Sequence, residues 1–240
     1  AALVTGANTG LGHAIAVGLA AAGADIAAVG RSDPAATTAA VTAAGQRCHW
    51  IHADLGVKPD YTAIVAEAAR TFGRCDILVN NAGLIRRADA LEFSEADWDA
   101  VMDVNIKAAF FLAQAAARAM LADGKGGKII NIASMLSFQG GIRVASYTAS
   151  KSGIAGLTRL LANEWAARGI NVNAIAPGYF ATNNTTALRA DATRNRDILA
   201  RIPAGRWGYP SDLAGAAVFL SSSAADYVHG AIIPVDGGWL

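Results

Sequence analysis

Short apolar runs alternate with longer segments of helical periodicity along the whole chain. The runs that predict β-strands cover residues 2–5, 25–29, 48–52, 77–80, 128–133, 171–175 and 232–235. Strands that alternate with helices are typical of βαβ units, in which the strands pair in parallel and helices cover both faces of the sheet. The pattern therefore predicts an α/β fold with a doubly wound parallel sheet, in one domain that spans residues 1–240.

Several boundaries of the predicted elements are visible in the sequence. Asp33 followed by Pro34 predicts a helix that Asp33 caps, and Gly45 predicts its end. Ser94 and Asp97 resemble a capping box, with Asp in place of Glu. Residues 179–208 interrupt the alternation, and their polar composition predicts a substrate loop or mobile lid.

Composition and charge exclude several classes of protein. The chain is 53% hydrophobic and 16% charged, which indicates a folded core rather than disorder. A net charge of +1 without long charged runs offers no surface for nucleic acid or an anionic membrane, so we expect a small-molecule substrate. Two cysteines suggest reduced thiols, and no apolar signal segment precedes the first strand. We expect a cytoplasmic protein.

The turn after the first predicted strand is rich in glycine and reads Thr5-Gly6-Ala7-Asn8-Thr9-Gly10-Leu11-Gly12. Glycines there allow a tight turn and a close approach of the backbone to a pyrophosphate, and the next helix presents N–H groups from its first turn. An ordinary strand-to-helix turn is the alternative, since the spacing departs from the commoner G-x-G-x-x-G. The position after a strand favours a dinucleotide site whose contacts are Gly6, Asn8, Thr9, Gly10, Leu11 and Gly12.

Polar residues also follow two later strands. The sequence Asn80-Asn81-Ala82-Gly83 ends the strand at 77–80, and Ser134 follows the strand at 128–133. Ligands of doubly wound sheets bind at the carboxyl ends of the strands, so both positions are candidates for the site. A simple Asn-Gly turn is the alternative for the first of them.

Tyr147 and Lys151 lie four residues apart at the start of a long predicted helix, so they share one face of it. A free phenol has a pKa of about 10, and a nearby cation favours the phenolate. Tyr147 is therefore a candidate acid/base, although a chance pair on a solvated face is the alternative. Asn105 falls on an apolar helical stripe, where a polar side chain needs a partner. A helix kink or cap is the other explanation for Asn105.

Taken together, these motifs and the later Pro177-Gly178 resemble the short-chain dehydrogenase/reductase family over essentially the whole chain, in the family's order and spacing. The resemblance implies a Rossmann fold and an NAD(P)-dependent oxidoreductase that acts on CH–OH groups, without a metal. It implies that Tyr147 is the acid/base and that Ser134 binds the substrate oxygen. It also implies that Lys151 holds the nicotinamide ribose and lowers the pKa of Tyr147, and that Asn105 completes a water-linked proton relay. The other cofactor contacts that it implies, besides Tyr147 and Lys151, are Asp54, Leu55, Asn81, Ala82, Gly83, Pro177, Gly178 and Thr182. Members of this kind are usually homotetramers, and we expect the same here.

The end of the second strand bears on the choice between NAD and NADP. An acidic residue there binds the ribose 2′-hydroxyl, whereas an arginine accommodates a 2′-phosphate. In the family that the chain resembles, many NAD-using members carry Asp at the position of Gly30. Arg31 and Ser32 follow Gly30 and are candidate phosphate contacts. The local chemistry allows NADP, whereas the subgroup described next favours NAD, and the choice stays open.

Four longer segments resemble a narrower group within the family, the dehydrogenases of deoxy sugar acids related to gluconate, which implies a role in the breakdown of pectin-derived uronates. The segments cover residues 81–93, 133–143, 203–208 and 235–240. Guanidinium groups bind carboxylates bidentately, and Arg143 lies between Ser134 and Tyr147, so we predict that Arg143 binds the substrate carboxylate. Arg86 or its neighbour Arg87 is a further candidate, and Gln139 is a candidate for the sugar hydroxyls. Surface arginines paired with acids are the alternative.

Other functions stay open on the sequence. An NADP-dependent dehydrogenase of gluconate itself or a reductase of 3-oxoacyl thioesters would use the same catalytic residues, although a thioester reductase would want an apolar channel. A non-catalytic dinucleotide-binding redox sensor would have no use for a poised base. A sugar-nucleotide epimerase would add a C-terminal substrate domain, for which the chain leaves little room.

Overall fold

A parallel sheet of seven strands forms the centre of the protein, whose computed structural model describes residues 1–240. The strands are β1 (Ala2–Thr5), β2 (Ile26–Gly30), β3 (Cys48–His52), β4 (Ile77–Asn80), β5 (Gly127–Ile132), β6 (Ile170–Pro177) and β7 (Ile232–Val235). They lie in the order β3-β2-β1-β4-β5-β6-β7, and all neighbours are parallel. The order reverses between β1 and β4, which opens a crevice at their carboxyl ends where such sheets bind ligands.

Helices cover both faces of this sheet. They are α1 (Gly10–Ala21), α2 (Ala35–Ala43), α3 (Tyr61–Phe72), α4 (Glu95–Met102), α5 (Ala108–Ala122), α6 (Ala145–Trp165), α7 (Thr186–Ala190), α8 (Ala192–Arg201) and α9 (Ala214–Ser221). Helices α1, α2 and α9 pack on one face, and α3, α5 and α6 pack on the other. A π-helical turn at Asp103–Lys107 joins α4 directly to α5.

The alternation of side chains along the strands explains the two cores. Leu3 and Leu78 belong to the cluster beneath α3 and α5, whereas their sequence neighbours Val4 and Val79 belong to the cluster beneath α1 and α9. Successive residues of a strand point to opposite faces, so a strand that is covered on both sides buries side chains on both of them. All four residues of β1 and all eight of β6 are buried accordingly.

The predicted fold is confirmed. Every predicted strand is present, and the strands at 2–5, 48–52, 77–80 and 232–235 have the predicted bounds. The other three are displaced or extended by one or two residues at an end. Buried parallel strands leave a strong apolar signal, which is why the sequence reveals them.

Of the two predicted helix caps, the one at Asp33 is wrong and the one at Ser94 forms in part. Pro34, with a ψ of 40° that is not helical, occupies the cap position of α2 without any side-chain hydrogen bond, so the helix begins at Ala35 and Asp33 does not cap it. The hydroxyl of Ser94 accepts a hydrogen bond from the Asp97 backbone N–H at 3.2 Å, as predicted. The Asp97 carboxylate binds an arginine instead of closing the box, so only half of the motif forms.

Residues 179–208 form a small helical lobe that contains α7 and α8. Its two ends are joined by backbone hydrogen bonds, from Gly208 N–H to the Tyr179 oxygen at 2.9 Å and from Ala181 N–H to the Gly208 oxygen at 2.8 Å. The Trp207 indole also donates to the Asn195 side chain at 2.7 Å. The lobe is therefore anchored at its base, and its role as a lid stays a prediction.

One helix, the continuous run Glu95–Ala122, is long and apolar enough to cross a membrane by length and composition alone. Its apolar side chains have partners within the fold, because Leu112, Ala116 and Met120 are fully or almost fully buried against the sheet and α3. This stripe is accounted for by packing in the core.

Candidate active site

The glycine-rich turn lies at the carboxyl end of β1 and has the backbone that its sequence predicts. Gly6 and Gly10 have φ values of +63° and +56°, a region that side chains with a Cβ rarely adopt. A Cβ on Gly12 would come within 2.2 Å of the Gly6 carbonyl oxygen, so α1 can approach the turn this closely only with glycine there. This close approach leaves the first backbone N–H groups of α1 beside the turn, which is the arrangement that binds a pyrophosphate.

The Asn81-Ala82 turn is fixed against the glycine-rich turn by Thr5. The Thr5 hydroxyl accepts hydrogen bonds from Asn81 N–H at 3.0 Å and Ala82 N–H at 2.9 Å. The Asn81 side-chain amide donates to the Thr5 carbonyl oxygen at 2.8 Å. The two turns therefore form one rigid floor at the point where the strand order reverses.

The lobe that follows β6 reaches the same floor. Thr182 is the nearest neighbour of Gly10, and a Cβ built on Gly10 would lie 3.7 Å from its methyl group. Gly178 allows β6 and β7 to converge just before this point, because a Cβ there would lie 2.5 Å from the Asp236 backbone. The structure thus gathers the turns at 6–12, 81–83 and 178–182 around one crevice, which fits the phosphates and nicotinamide end of a dinucleotide.

At the adenosine end of this crevice, Arg31 and Asp54 lie opposite each other. Their closest atoms, Nη1 and Oδ2, are 4.0 Å apart, and the Arg31 side chain is 74% exposed, so this ion pair is long and leaves most of the guanidinium donors open to solvent. The Asp54 carboxylate accepts a hydrogen bond from Gly56 N–H at 2.9 Å. Leu55 is buried in the core, and Ser32 is exposed beside Arg31.

The candidate catalytic residues meet where β5 ends and α6 begins. Ser134 is buried at the end of β5, where its hydroxyl accepts a hydrogen bond from Leu136 N–H at 3.1 Å. Tyr147 and Lys151 lie on successive turns of α6, and the Lys151 ammonium is 5.7 Å from the centre of the Tyr147 ring. Lys151 is 4% exposed, and its ammonium donates to the Ile132 carbonyl oxygen at 2.6 Å. The structure therefore brings all three predicted residues together.

The pKa of Tyr147 differs from the sequence expectation. Burial raises the pKa of the phenol above its ordinary value, whereas hydrogen bonding to Ser134 and the positive charge of Arg87 act to lower it. The Lys151 ammonium lies over the ring and binds a backbone oxygen, so it does not offset the burial as expected. Burial also lowers the pKa of Lys151 from 10.5 to about 8. Burial therefore opposes formation of the phenolate at Tyr147.

Asn105 sits in the π-helical turn between α4 and α5, and its side chain is almost fully buried. Its amide group donates to the Leu84 carbonyl oxygen at 3.0 Å and to the Ser150 hydroxyl at 3.1 Å. Its oxygen accepts a hydrogen bond from Leu84 N–H at 2.8 Å. The side chain therefore ties the loop after β4 to α6 one residue before Lys151, and a water-linked relay through Asn105 stays a prediction.

The arginines near the site have different partners from those expected. Arg86 pairs with Asp97 of α4 at 3.0 Å while half of its side chain is exposed, and its contact with a substrate stays a prediction. Its neighbour Arg87 is the arginine whose charge reaches Tyr147. Arg143 is exposed, has a φ of +61° and lies beside the Arg87 loop, because Ala88 N–H donates to the Arg143 carbonyl oxygen at 3.2 Å.

Two residues around the site, Ser137 and Arg201, were not predicted from the sequence. The Ser137 hydroxyl donates to the Lys151 carbonyl oxygen at 2.6 Å and accepts a hydrogen bond from Ser134 N–H at 3.3 Å, so it fastens the catalytic serine to α6. Gln139, predicted to contact the substrate, accepts a hydrogen bond from Arg201 of α8 at 3.4 Å.

The four histidines and two cysteines lie elsewhere, and no three metal-ligating side chains lie close together.

A glycine-rich crevice at the reversal of a doubly wound sheet, beside a buried Ser-Tyr-Lys set, defines a nicotinamide-dependent oxidoreductase. Residues 6–240 match a family model described as enoyl-(acyl carrier protein) reductase, a branch of the short-chain dehydrogenases. The chain belongs to the short-chain dehydrogenase/reductase family and is an NAD(P)-dependent dehydrogenase acting on a CH–OH group.

Comparison with individual proteins narrows this class. The chain is 64% identical over 239 residues to 2-dehydro-3-deoxy-D-gluconate 5-dehydrogenase of Escherichia coli, and the match covers 100% of this chain and 94% of that one. A solved Agrobacterium tumefaciens structure with bound NADP is 64% identical, with a TM-score of 0.91 over 99% of this chain and 95% of that one. A gluconate 5-dehydrogenase from Burkholderia cenocepacia, solved with NADP and tartrate, is 41% identical, with a TM-score of 0.94 over 99% of this chain and 94% of that one.

Proposed function

We propose that the protein is a dehydrogenase of deoxy sugar acids, which oxidises 2-dehydro-3-deoxy-D-gluconate at C5 or 2-deoxy-D-gluconate at C3. The observation that carries the proposal is the 64% identity over the whole chain to an enzyme named for the first of these substrates. The arginines at 87, 143 and 201, which form no ion pair, support it, because a sugar acid brings a carboxylate into the site.

The turns around the crevice would hold the dinucleotide. Residues 6–12 and 81–83 would carry its phosphates and ribose, Lys151 the nicotinamide ribose, and residues 177–182 the nicotinamide end, with Asp54 and Leu55 near the adenine. When bound, the oxidised nicotinamide supplies the hydride acceptor. The position of Thr182, whose methyl group would lie 3.7 Å from a Cβ on Gly10, brings the lobe to the glycine-rich turn and supports this assignment.

Tyr147 carries the proton in the proposed reaction. Its phenolate would take the proton of the substrate hydroxyl, while the carbon that bears this hydroxyl would give up a hydride to the nicotinamide. The C–O single bond would thereby become a carbonyl. The Ser134 hydroxyl donates a hydrogen bond to that oxygen and holds it beside Tyr147. Since burial favours the neutral phenol, oxidation needs positive charge near Tyr147, and Arg87 contributes it.

For the substrate chain, we retain Arg143 as a carboxylate contact and Gln139 as a hydroxyl contact. Arg143 is exposed without a side-chain partner, and its left-handed backbone is rare for a residue with a side chain. Such conformations cluster at functional sites. For the cofactor, Gly30 and the free Arg31 support use of NADP, and the same site accommodates NAD.

We further propose a cytoplasmic homotetramer that acts in the breakdown of pectin-derived uronates. Support for the assembly comes from three large apolar side chains that α4, α5 and α6 expose, Trp98 (39%), Phe111 (39%) and Leu160 (46%). Exposed apolar patches on helices are typical of subunit interfaces.

The test is oxidation of 2-deoxy-D-gluconate by the wild type and by Tyr147→Phe, followed through the absorbance of reduced nicotinamide. We expect Tyr147→Phe to lower kcat by about 10³-fold or more, because general acid–base catalysis contributes about that much. Quenching of intrinsic fluorescence by the cofactor should be unchanged. Comparable turnover by both proteins would reject the assignment of Tyr147, and no turnover of the deoxy acid by the wild type would reject the substrate class.

A further inference from the structure

Arg201 lies across the opening between the two strand ends that build the substrate side of the site. It ends α8, and its guanidinium donates to the Gln139 side-chain oxygen at 3.4 Å, on the loop that begins at Ser134. The guanidinium carbon also lies 4.0 Å from the centre of the Trp239 ring. Trp239 contacts Tyr179, which follows the end of β6, with ring centres 4.8 Å apart. Arg201 therefore connects the lobe, the Ser134 loop and the end of β6.

Arg201 differs from two nearby arginines in having no ion-pair partner. Arg196 pairs with Asp197, and Arg206 pairs with Asp212 at 2.6 Å. Arg201 belongs to no ion pair, and its single hydrogen bond to Gln139 is long. A guanidinium has five N–H donors, so most of those on Arg201 are free.

Stacking on Trp239 fixes the plane of this guanidinium before any ligand arrives. Arginine stacks on aromatic faces, and a planar fork that is already oriented loses little conformational entropy when it forms two parallel bonds to a carboxylate. The Gln139 amide oxygen is a neutral and weaker acceptor than a carboxylate. A carboxylate that entered the opening would therefore displace Gln139 from Arg201 and leave Gln139 for a sugar hydroxyl.

We propose that Arg201, held by Trp239, binds the carboxylate of the sugar acid and sets the preference of the enzyme for acids over neutral sugars. The inference rests on the proposed function and adds a residue to it. Arg143 then contributes a second positive charge at the mouth, whereas Arg201 supplies the bidentate contact.

The experiment compares 2-deoxy-D-gluconate with its neutral amide, 2-deoxy-D-gluconamide, in the wild type, Arg201→Gln and Arg201→Lys. Arg194→Gln is the matched control, since Arg194 is an exposed arginine on the same helix without a side-chain hydrogen bond or ion pair. We expect Arg201→Gln to raise the KM of the acid by about 10- to 100-fold while kcat and the kcat/KM of the amide change less than about threefold. Arg201→Lys should lie between the two, because it keeps the charge and loses the fork.

The outcomes separate the inference from the function on which it rests. If the wild type oxidises the acid and Arg201→Gln changes acid and amide alike, or neither, Arg201 has only a structural role and the inference is overturned. If Arg201→Gln does not fold, the ratio of acid to amide kcat/KM in Arg201→Lys decides, and an unchanged ratio overturns it. A wild type that oxidises neither compound contradicts the proposed function, and the carboxylate site with it.

Discussion

Replacing Lys151 by methionine should make the folded protein more stable at neutral pH while it abolishes turnover. The side chain is 4% exposed, and burial lowers its pKa from 10.5 to about 8. A shift of one pKa unit corresponds to about 1.4 kcal/mol, so keeping the ammonium charged in the folded state costs about 3 kcal/mol. Methionine has a similar length and no charge, although it gives up the hydrogen bond to the Ile132 oxygen, which offsets about 1–2 kcal/mol.

The pH dependence isolates the cost of the charge from the lost hydrogen bond. Below a pH of about 8 the lysine is charged in both states, and the full cost is present in the wild type. As the pH rises through 8 towards 10.5, the folded state releases its proton first and the wild type recovers stability. The advantage of Lys151→Met in free energy of unfolding should therefore shrink by about 2 kcal/mol between about pH 7 and pH 9.5.

Urea unfolding followed by far-UV circular dichroism at both pH values measures this difference. Lys125→Met is the control, because Lys125 is exposed and makes no ion pair, and its effect should be small and similar at both pH values. If the difference in free energy of unfolding between Lys151→Met and the wild type does not change with pH, the buried ammonium does not destabilise the folded protein and the reasoning is refuted.

Four further substitutions have definite expected outcomes. Arg31→Ala should lower kcat/KM with NADP⁺ about tenfold or more and leave the value with NAD⁺ within about twofold, and equal effects on both cofactors would exclude a contact with the 2′-phosphate. Thr158→Val leaves the buried Asn131 amide without the acceptor it has at 3.0 Å, so urea unfolding should show a loss of about 1–3 kcal/mol, and no loss would mean that the amide finds another partner. Gly12→Ala should weaken cofactor binding by more than about tenfold in a fluorescence titration, because the new Cβ would lie 2.2 Å from the Gly6 oxygen. Gly156 lies on α6 with open space around it, so Gly156→Ala should bind the cofactor normally. Its free energy of unfolding should be about 0.5–1 kcal/mol higher than that of the wild type.

The fold and the catalytic set were predictable because their signals are local. Residues 26–29 of β2 are buried and entirely apolar, so this strand is recognisable as a short apolar run in the sequence. Tyr147 and Lys151 share a helix face through their spacing alone, and Ser134 is placed by the end of its strand.

The remaining features depend on contacts between distant segments. Nothing near Arg86 in the sequence indicates that it forms an ion pair with Asp97 of α4. Arg201 meets Gln139 and Trp239 only because the lobe folds back over the ends of β5 and β6. Electrostatic balance is equally non-local. The spacing of Tyr147 and Lys151 predicted a lowered phenol pKa, whereas the depth of burial, which the fold as a whole determines, raises it.

The central claim is that the site oxidises a deoxy sugar acid, and the ratio of kcat/KM for 2-deoxy-D-gluconate to that for a 3-hydroxyacyl thioester tests it most directly. Both substrates would be oxidised under the same conditions with NAD⁺ and with NADP⁺. We predict that the deoxy acid is preferred by at least about 10²-fold with one of the two cofactors, because a carboxylate contact of about 3 kcal/mol is available only to the acid. Preference for the thioester would contradict the account and make the protein a reductase of acyl substrates.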